Sequence, residues 1–255
     1  MHLEYHRPQT LEEALALLAR EQPLTVPLGG GAFLNARTRP ATIPQEDVAV
    51  VDLQNLGLDT IAARGNFMDL GATVSLQQLL QAEIPEALRE AIMVEATYTR
   101  RFTQTVAGTL VAADGISPFA TAMLALDARL TLQPGDAPLP LGELYPFRWE
   151  HLRGKLITKV TIPTNAKLAV ETVGRSAYDD PLLVVAVAQW PSGRTRVTVG
   201  GWGDAPHLAM DGPEAAGAQE AARNAAYEAG DHRASAEYRR EVAAVLARRA
   251  LANLQ

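Results

Sequence analysis

Pro27-Leu28-Gly29-Gly30-Gly31-Ala32-Phe33-Leu34 is the stretch on which the reading of this chain turns. Apolar Leu24-Thr25-Val26 runs into it as a short strand, and three consecutive glycines follow. Glycine lets another backbone or a ligand come close, and successive N–H groups in such a turn can converge on one phosphate. A tight turn with no ligand is the other reading, and the glycines alone do not separate the two. The spacing is not G-x-G-x-x-G and no acidic residue follows in a βαβ context, so this is not the dinucleotide fingerprint.

Working outward, Thr10 and Glu13 make a capping box ahead of a helix whose Leu11, Ala14, Leu15 and Leu18 share a face. Gln22-Pro23 ends it. Beyond the glycines, Phe33–Arg37 reads as a brief helical turn, Pro40 and Pro44 mark a loop, and Val48–Leu53 reads as a buried β-branched strand. Thr60–Ala62 and Phe67–Leu70 flank the turn Arg64-Gly65-Asn66 as a hairpin. Ser75 caps a helix carrying Leu76, Leu79 and Leu80, and Pro85 opens another with Leu88, Ile92 and Met93 facing inward.

A second glycine-bearing stretch follows, Arg100-Arg101-Phe102-Thr103-Gln104-Thr105-Val106-Ala107-Gly108-Thr109-Leu110-Val111-Ala112-Ala113-Asp114-Gly115. It is dense in small residues and hydroxyls. Ser117-Pro118 then begins a helix, Ser as N-cap and Pro in the first turn, and the positive end of that helix favours a nearby anion. Ala128–Leu132 and Leu156–Ile162 read as strands, the latter closed by Pro163. Past Thr164-Asn165 the texture changes. Val170–Val173, Leu182–Trp190 and Arg194–Gly200 read as three strands, the last two a hairpin across Pro191-Ser192-Gly193. Asp211 and Glu214 suggest a capping box for an alanine-rich helix from Pro213 to Ala229, and Ser235 starts a final helix to about Ala252. Gly200-Gly201-Trp202-Gly203 reads as a turn, because no capped helix follows it directly.

Composition narrows the function. The 255 residues are 47% hydrophobic and 20% charged, the profile of ordinary globular proteins. A net charge of −6 with no basic run argues against nucleic acid or an anionic membrane as partner. No apolar run is long enough for a membrane helix and the N-terminus has no signal-peptide core, so a cytoplasmic location is expected. With no cysteine, the chain can neither form a disulfide nor ligate an iron–sulfur cluster through thiolates. The five histidines have no metal-ligand spacing. No catalytic triad and no metal site is found.

Taken together, these motifs resemble the flavin-binding medium subunits of molybdenum hydroxylases, the group of carbon monoxide dehydrogenase and xanthine dehydrogenase. Tyr5-His6-Arg7-Pro8 with Leu11-Glu12-Glu13-Ala14 matches the family's opening. Leu28-Gly29-Gly30-Gly31 stands at its first pyrophosphate loop, and Thr105-Val106-Ala107-Gly108 to Asp114 at its second. Ser235–Arg240 and Arg248-Arg249-Ala250-Leu251 match its C-terminal signature, where Arg and Tyr are expected to be structural.

The resemblance implies an α+β fold. Two α/β lobes of a PCMH-type FAD-binding domain (residues 1–55 and 56–163) would be followed by a C-terminal domain of three-stranded antiparallel sheet and helices (164–255). It implies FAD contacts from Gly29, Gly30, Gly31, Ala32, Phe33 and Leu34, a second wall from Thr105, Ala107, Gly108, Thr109 and Asp114, and Ile157 beside the flavin. Electrons would enter from 2Fe-2S centres of a small partner chain, while a large partner would hold the molybdenum cofactor. The chain departs from the family pattern at Ala32, Phe33, Ala107, Thr109, Pro118 and Thr172. Lost hydroxyls and charges weaken the expected grip on FAD, each charge-assisted bond being worth roughly 1.5–3 kcal/mol. The competing reading is a non-catalytic assembly subunit of the same fold whose FAD binding is weakened or lost.

Overall fold

The computed structural model describes residues 4–32, 48–176 and 179–254. In chain order the elements are β1 (Glu4–His6), α1 (Leu11–Leu18), β2 (Thr25–Leu28), β3 (Ala49–Asp52), β4 (Ile61–Arg64), β5 (Phe67–Gly71), α2 (Leu76–Leu80), α3 (Glu86–Glu95), α4 (Tyr98–Thr103), α5 (Val106–Ala112), α6 (Pro118–Ala125), β6 (Arg129–Gln133), β7 (Pro138–Pro140), α7 (Leu141–Leu144), α8 (Arg148–Leu152), β8 (Leu156–Pro163), β9 (Lys167–Val173), β10 (Leu183–Gln189), β11 (Thr195–Gly200), β12 (His207–Gly212), α9 (Ala218–Ala225) and α10 (Ala236–Asn253). The expected turn at Phe33–Arg37 and the loop at Pro40 and Pro44 lie outside the described residues. The chain forms two compact units that interleave along the sequence. One comprises Met1–Ala82, Tyr98–Ala112 and Arg129–Ile162, and the other Glu83–Thr97, Ala113–Ala128 and Pro163–Gln255.

The first unit holds two sheets. In the smaller, β3 lies between β1 and β2, parallel to both. All four residues of β3 are buried, as suits a central parallel strand. Ala14 and Leu18 of α1 pack with Val51, Leu53 and Leu156. The Thr10 hydroxyl accepts from the Glu13 N–H at 3.2 Å, as the capping box requires. The Glu13 carboxylate reaches back one residue further, to the Gln9 N–H at 2.9 Å. Tyr5 donates its hydroxyl proton to Asp52, which also accepts from the Gln54 N–H at 2.9 Å. The end of β3 is thereby tied to the N-terminal strand. The larger sheet has the order β4-β5-β8-β6-β7. Burial opposes the charge of Asp69 on β5, but hydrogen bonds from Thr161 (2.6 Å) and Lys159 (3.2 Å) outweigh it and hold the carboxyl below the usual range.

The second unit is built on the antiparallel sheet β12-β11-β10-β9. Three of its strands are those marked in the sequence; the fourth, β12, is an addition. It takes the place of the capping box expected at Asp211. A side chain drawn into a strand cannot cap a helix, and Asp211 instead receives Arg194 at 2.7 Å and Arg196 at 2.7 Å, while α9 begins only at Ala218. β10 is largely apolar, β11 alternates valine with threonine and arginine, and both are buried along nearly their whole length because helices cover them. Alanines of α9 and α10 supply one covering layer with Leu246 and Leu254. α6 also packs on β10 and β11, and every one of its residues is buried.

Arg239 on α10 is fully buried. Its guanidinium donates to the carbonyls of Leu182 (2.9 Å), Ala229 and Gly201 (3.1 Å) and to the Asp231 carboxylate (3.0 Å). A planar fork with five donors can satisfy diverging acceptors, which an ammonium cannot. The expectation that the Arg residues of the C-terminal signature are structural holds for this one. Burial opposes the charge of Asp231, but the hydrogen bond from Arg239 and those from the N–H groups of Ala234 and Arg233 prevail and lower its pKa to about 2.

Two outcomes follow. A depressed carboxylate contributes stability that is complete above its ordinary pKa, near 4, and is lost as pH falls toward 2. Urea unfolding followed from pH 5 to pH 2 will therefore show stability falling with acid, and Asp231→Asn will flatten that slope. Second, a fragment of residues 1–163 keeps α3 and α6 but loses the β9–β11 sheet on which they pack. It is expected to lack a cooperative thermal transition by circular dichroism.

Candidate functional site

The two glycine-bearing stretches, more than 70 positions apart in sequence, meet in the first unit. Gly29, Gly30, Gly31 and Ala32 form the loop that leaves the C-terminal end of β2. Against it lies the junction of α4 and α5. A Cβ on Gly30 would sit 1.6 Å from the Thr103 carbonyl oxygen, and one on Gly29 would sit 3.0 Å from Thr105 Oγ1. A Cβ on Gly108 would lie 4.0 Å from that of Ala32. Gly30 is therefore required by another segment of the chain's own backbone. Gly31 has φ of +76°, which turns the chain.

The loop leaves donors free. The N–H groups of Gly29, Gly30 and Ala32 have no hydrogen-bond partner among the described residues. All four loop residues are half-buried, so these donors are neither sealed in the core nor spread on an open surface. N–H groups without partners in one turn are what an anion cradle requires. Thr105 Oγ1 accepts the Gly108 N–H at 3.1 Å, which leaves its own proton free to donate. The Thr109 hydroxyl, by contrast, is spent on the Thr105 carbonyl at 2.8 Å. Ala107 is buried in α5.

The remaining expected residues are distributed as follows. Phe33 and Leu34 lie outside the described residues. Ile157 is buried in β8, opposite Leu132 of β6. Asp114 belongs to the second unit, where its Oδ1 accepts the Ile116 N–H at 2.9 Å in the turn before α6.

The anion expected at the start of α6 is supplied by the chain itself. Ser117 is the N-cap, its hydroxyl accepting the Ala120 N–H at 3.0 Å. The Glu95 carboxylate accepts from the Ser117 hydroxyl at 2.6 Å and from the Phe119 N–H at 3.2 Å. A carboxylate so placed satisfies the exposed helical donors and the positive end of the dipole together. Gly200-Gly201-Trp202-Gly203 is likewise engaged internally. The Gly115 N–H donates to the Gly203 carbonyl at 2.9 Å, and a Cβ on Gly115 would sit 1.6 Å from the Trp202 carbonyl oxygen. Trp202 stacks on His207 at 5.2 Å and packs against the core of the second unit, in keeping with its reading as a turn residue.

Sequence reasoning missed Thr103 and Gln104, the residues that meet the glycine loop. Nothing in their identity marks them, because what matters is the backbone they present. Among the described residues no group of histidine, cysteine or carboxylate side chains could hold a metal ion.

Comparison with known proteins defines the class. Residues 1–165 match the family described as the FAD binding domain in molybdopterin dehydrogenase, and the chain belongs to that family. It is thus an oxidoreductase subunit, and the resemblance to flavin-binding medium subunits is borne out. The Escherichia coli protein YgfM is 29% identical over 95% of this chain and 93% of its own length. The carbon monoxide dehydrogenase medium chain of Afipia carboxidovorans is 28% identical over 97% and 95%. In structure, the chain superposes on reconstituted CO dehydrogenase from Oligotropha carboxidovorans with a TM-score of 0.81, covering 100% of this chain and 98% of that one at 24% identity. At that identity the likeness establishes the fold. No helix among the described residues is long and apolar enough to cross a membrane.

The close approach at Gly30 yields a prediction. Gly30→Ala must displace the Thr103 carbonyl, and a loss of about 2–3 kcal/mol is expected, the scale of overpacking. Gly57→Ala, where nothing lies within 4 Å, meets only the strain of its φ of +65° and loses about 1–2 kcal/mol. Urea midpoints of the two variants measure the difference.

Proposed function

We propose that this chain is the FAD-binding electron-transfer subunit of a cytoplasmic molybdenum hydroxylase. It would take electrons from iron–sulfur centres of a small partner and pass them through FAD to an acceptor. The observation that carries this reading is the glycine loop, where the Gly29, Gly30 and Ala32 N–H groups have no partner among the described residues and the Thr105 hydroxyl lies beside them. A diphosphate fits this donor set, because its oxygens accept hydrogen bonds and the three N–H groups and the Thr105 hydroxyl can donate them. Gly29, Gly30, Gly31 and Ala32 would hold the pyrophosphate, with Phe33 and Leu34 continuing the loop. Thr105, Ala107, Gly108 and Thr109 would form the wall opposite. Of these, Thr105 supplies a hydroxyl proton and the others shape. Asp114 and Ile157 complete the proposed set.

FAD, when bound, supplies the exchange of electrons between one-electron and two-electron carriers. The protein's own residues bind and orient it; no acid, base or nucleophile of this chain is required. These 255 residues have no cysteine and cannot ligate an iron–sulfur cluster through thiolates, which agrees with clusters carried by a partner. The relatives named as medium chains support a small iron–sulfur partner and a large molybdenum-cofactor partner.

Visible absorbance of the purified protein and titration with FAD test this reading. Ala32→Asp places a carboxylate in the half-buried cradle, where it repels phosphate. It is expected to weaken FAD binding at least tenfold, about 1.4 kcal/mol, with an unchanged circular dichroism spectrum. A colourless protein that also takes up no added FAD would instead mark the chain as an assembly subunit. Affinity purification from the native source is expected to bring down the small and large partners together.

A further inference from the structure

The second unit ends in a helix whose outer face the fold does not use. α10 buries Arg239, Ala243, Leu246, Ala247 and Ala250 on one side. The other side carries Tyr238, Glu241, Val245, Arg248 and Ala252, all exposed. Their spacing alternates three and four, so they trace two heptads with Tyr238, Val245 and Ala252 at one seam position and Glu241 and Arg248 at the other. An α-helix drifts only about 20° per heptad against that repeat, which keeps all five on one stripe about 21 Å long. Tyr238 and Val245 are large hydrophobics 41% and 36% exposed.

The charges along the stripe are divided by position. Glu237 and Glu241 lie in its first half, Arg248 and Arg249 in its second. Arg240 is engaged elsewhere, over the Tyr227 ring at 5.2 Å from its centroid. The side chains of Arg248 and Arg249 have no hydrogen bond or ion pair among the described residues. Glu241 receives Arg223 of α9 at 2.7 Å, yet its side chain is still 61% exposed. A carboxylate has about four acceptor positions, so a second arginine can join the first.

This arrangement is complementary to itself in one orientation. With Val245 on a two-fold axis and the helices antiparallel, Val245 meets Val245 of the other copy. Seven positions to either side, Tyr238 faces Ala252, a large side chain against a small one. Glu241 then faces Arg248 and Arg249, and both contacts occur twice, as an isologous interface requires. Parallel packing would set Glu241 against Glu241 and Arg248 against Arg248, which repel. We propose that α10 is the contact of a homodimer, with a second copy of this chain packed antiparallel along the Tyr238–Ala252 stripe. Two heptads make an interface below the standard size, so the association is a reversible one in the micromolar range. It does not depend on FAD.

Sedimentation velocity on the full-length protein, from about 1 to 500 µM, tests the interface. The expected result is a mass that rises from monomer toward dimer across that range. Val245→Asp, which sets two carboxylates face to face on the axis, is expected to weaken association at least tenfold. Glu241→Arg alone, and Arg248→Glu with Arg249→Glu, should each weaken it at least fivefold. Mixing these two charge-reversed proteins should restore association, because each then offers the charge the other lacks. All four positions are exposed, and unchanged circular dichroism spectra and melting temperatures show that the fold is kept. A wild type that stays monomeric at 500 µM overturns the proposal, as does association that none of the variants weakens. Association lost in both charge-reversed proteins and not restored on mixing overturns the antiparallel pairing and with it the homodimer contact.

Discussion

The approach of the Gly30 backbone to the Thr103 carbonyl is the contact on which the candidate site depends. It brings a loop from the end of the parallel sheet against the α4–α5 junction of the same unit. No side chain fits between the two, so the register is set by sterics and not by a bond that could slide. The contact leaves the N–H groups of Gly29, Gly30 and Ala32 without a hydrogen-bond partner among the described residues. In a core, such groups would be destabilising by about 1–3 kcal/mol each. Half-buried, as here, they remain open to solvent.

The second unit solves a related problem with side chains. Arg239 gathers carbonyls from the residue just before β10, the α9–α10 connection and the turn after β11, and Asp231 neutralises it. Glu95 does the same for the buried start of α6. Both are charges placed where backbone groups would otherwise go unpaired. The difference in function follows directly. Where the chain supplies its own counter-charge, as at α6, a ligand phosphate has nothing to bind. At Gly29, Gly30 and Ala32 no such partner is supplied by the described residues.

This division clarifies how little chemistry the chain itself must perform. Several of its buried or half-buried charges hold strands and helix ends. Asp69 is taken by Thr161 and Lys159, and Asp211 by Arg194 and Arg196. At the glycine loop the groups on offer are the Gly29, Gly30 and Ala32 N–H donors and the Thr105 hydroxyl. That inventory suits a protein whose redox work is done by a bound group and whose own task is to hold it.

Most elements were legible in the sequence because they rest on local rules. Ser75, Ser117 and Ser235 cap helices as their positions dictate, and each hydroxyl accepts an N–H three residues on. The β-branched run at Val48–Leu53 and the hairpin around Gly65 likewise form where they are written. The absence of cysteine alone excluded thiolate-held iron–sulfur clusters. Features that depend on a distant partner were beyond that reach. Asp211 has the spacing of a cap, yet two arginines across a strand pair outbid the helix. The start of α6 has the signature of an anion site, yet Glu95, 22 residues earlier, already fills it. The glycine run signals close approach but not what approaches, which proved to be the Thr103 carbonyl. Sequence determined which backbone groups and charges exist and in what local order; only the tertiary structure decided which of them neutralise one another, because that pairing is made through space between residues far apart in the chain.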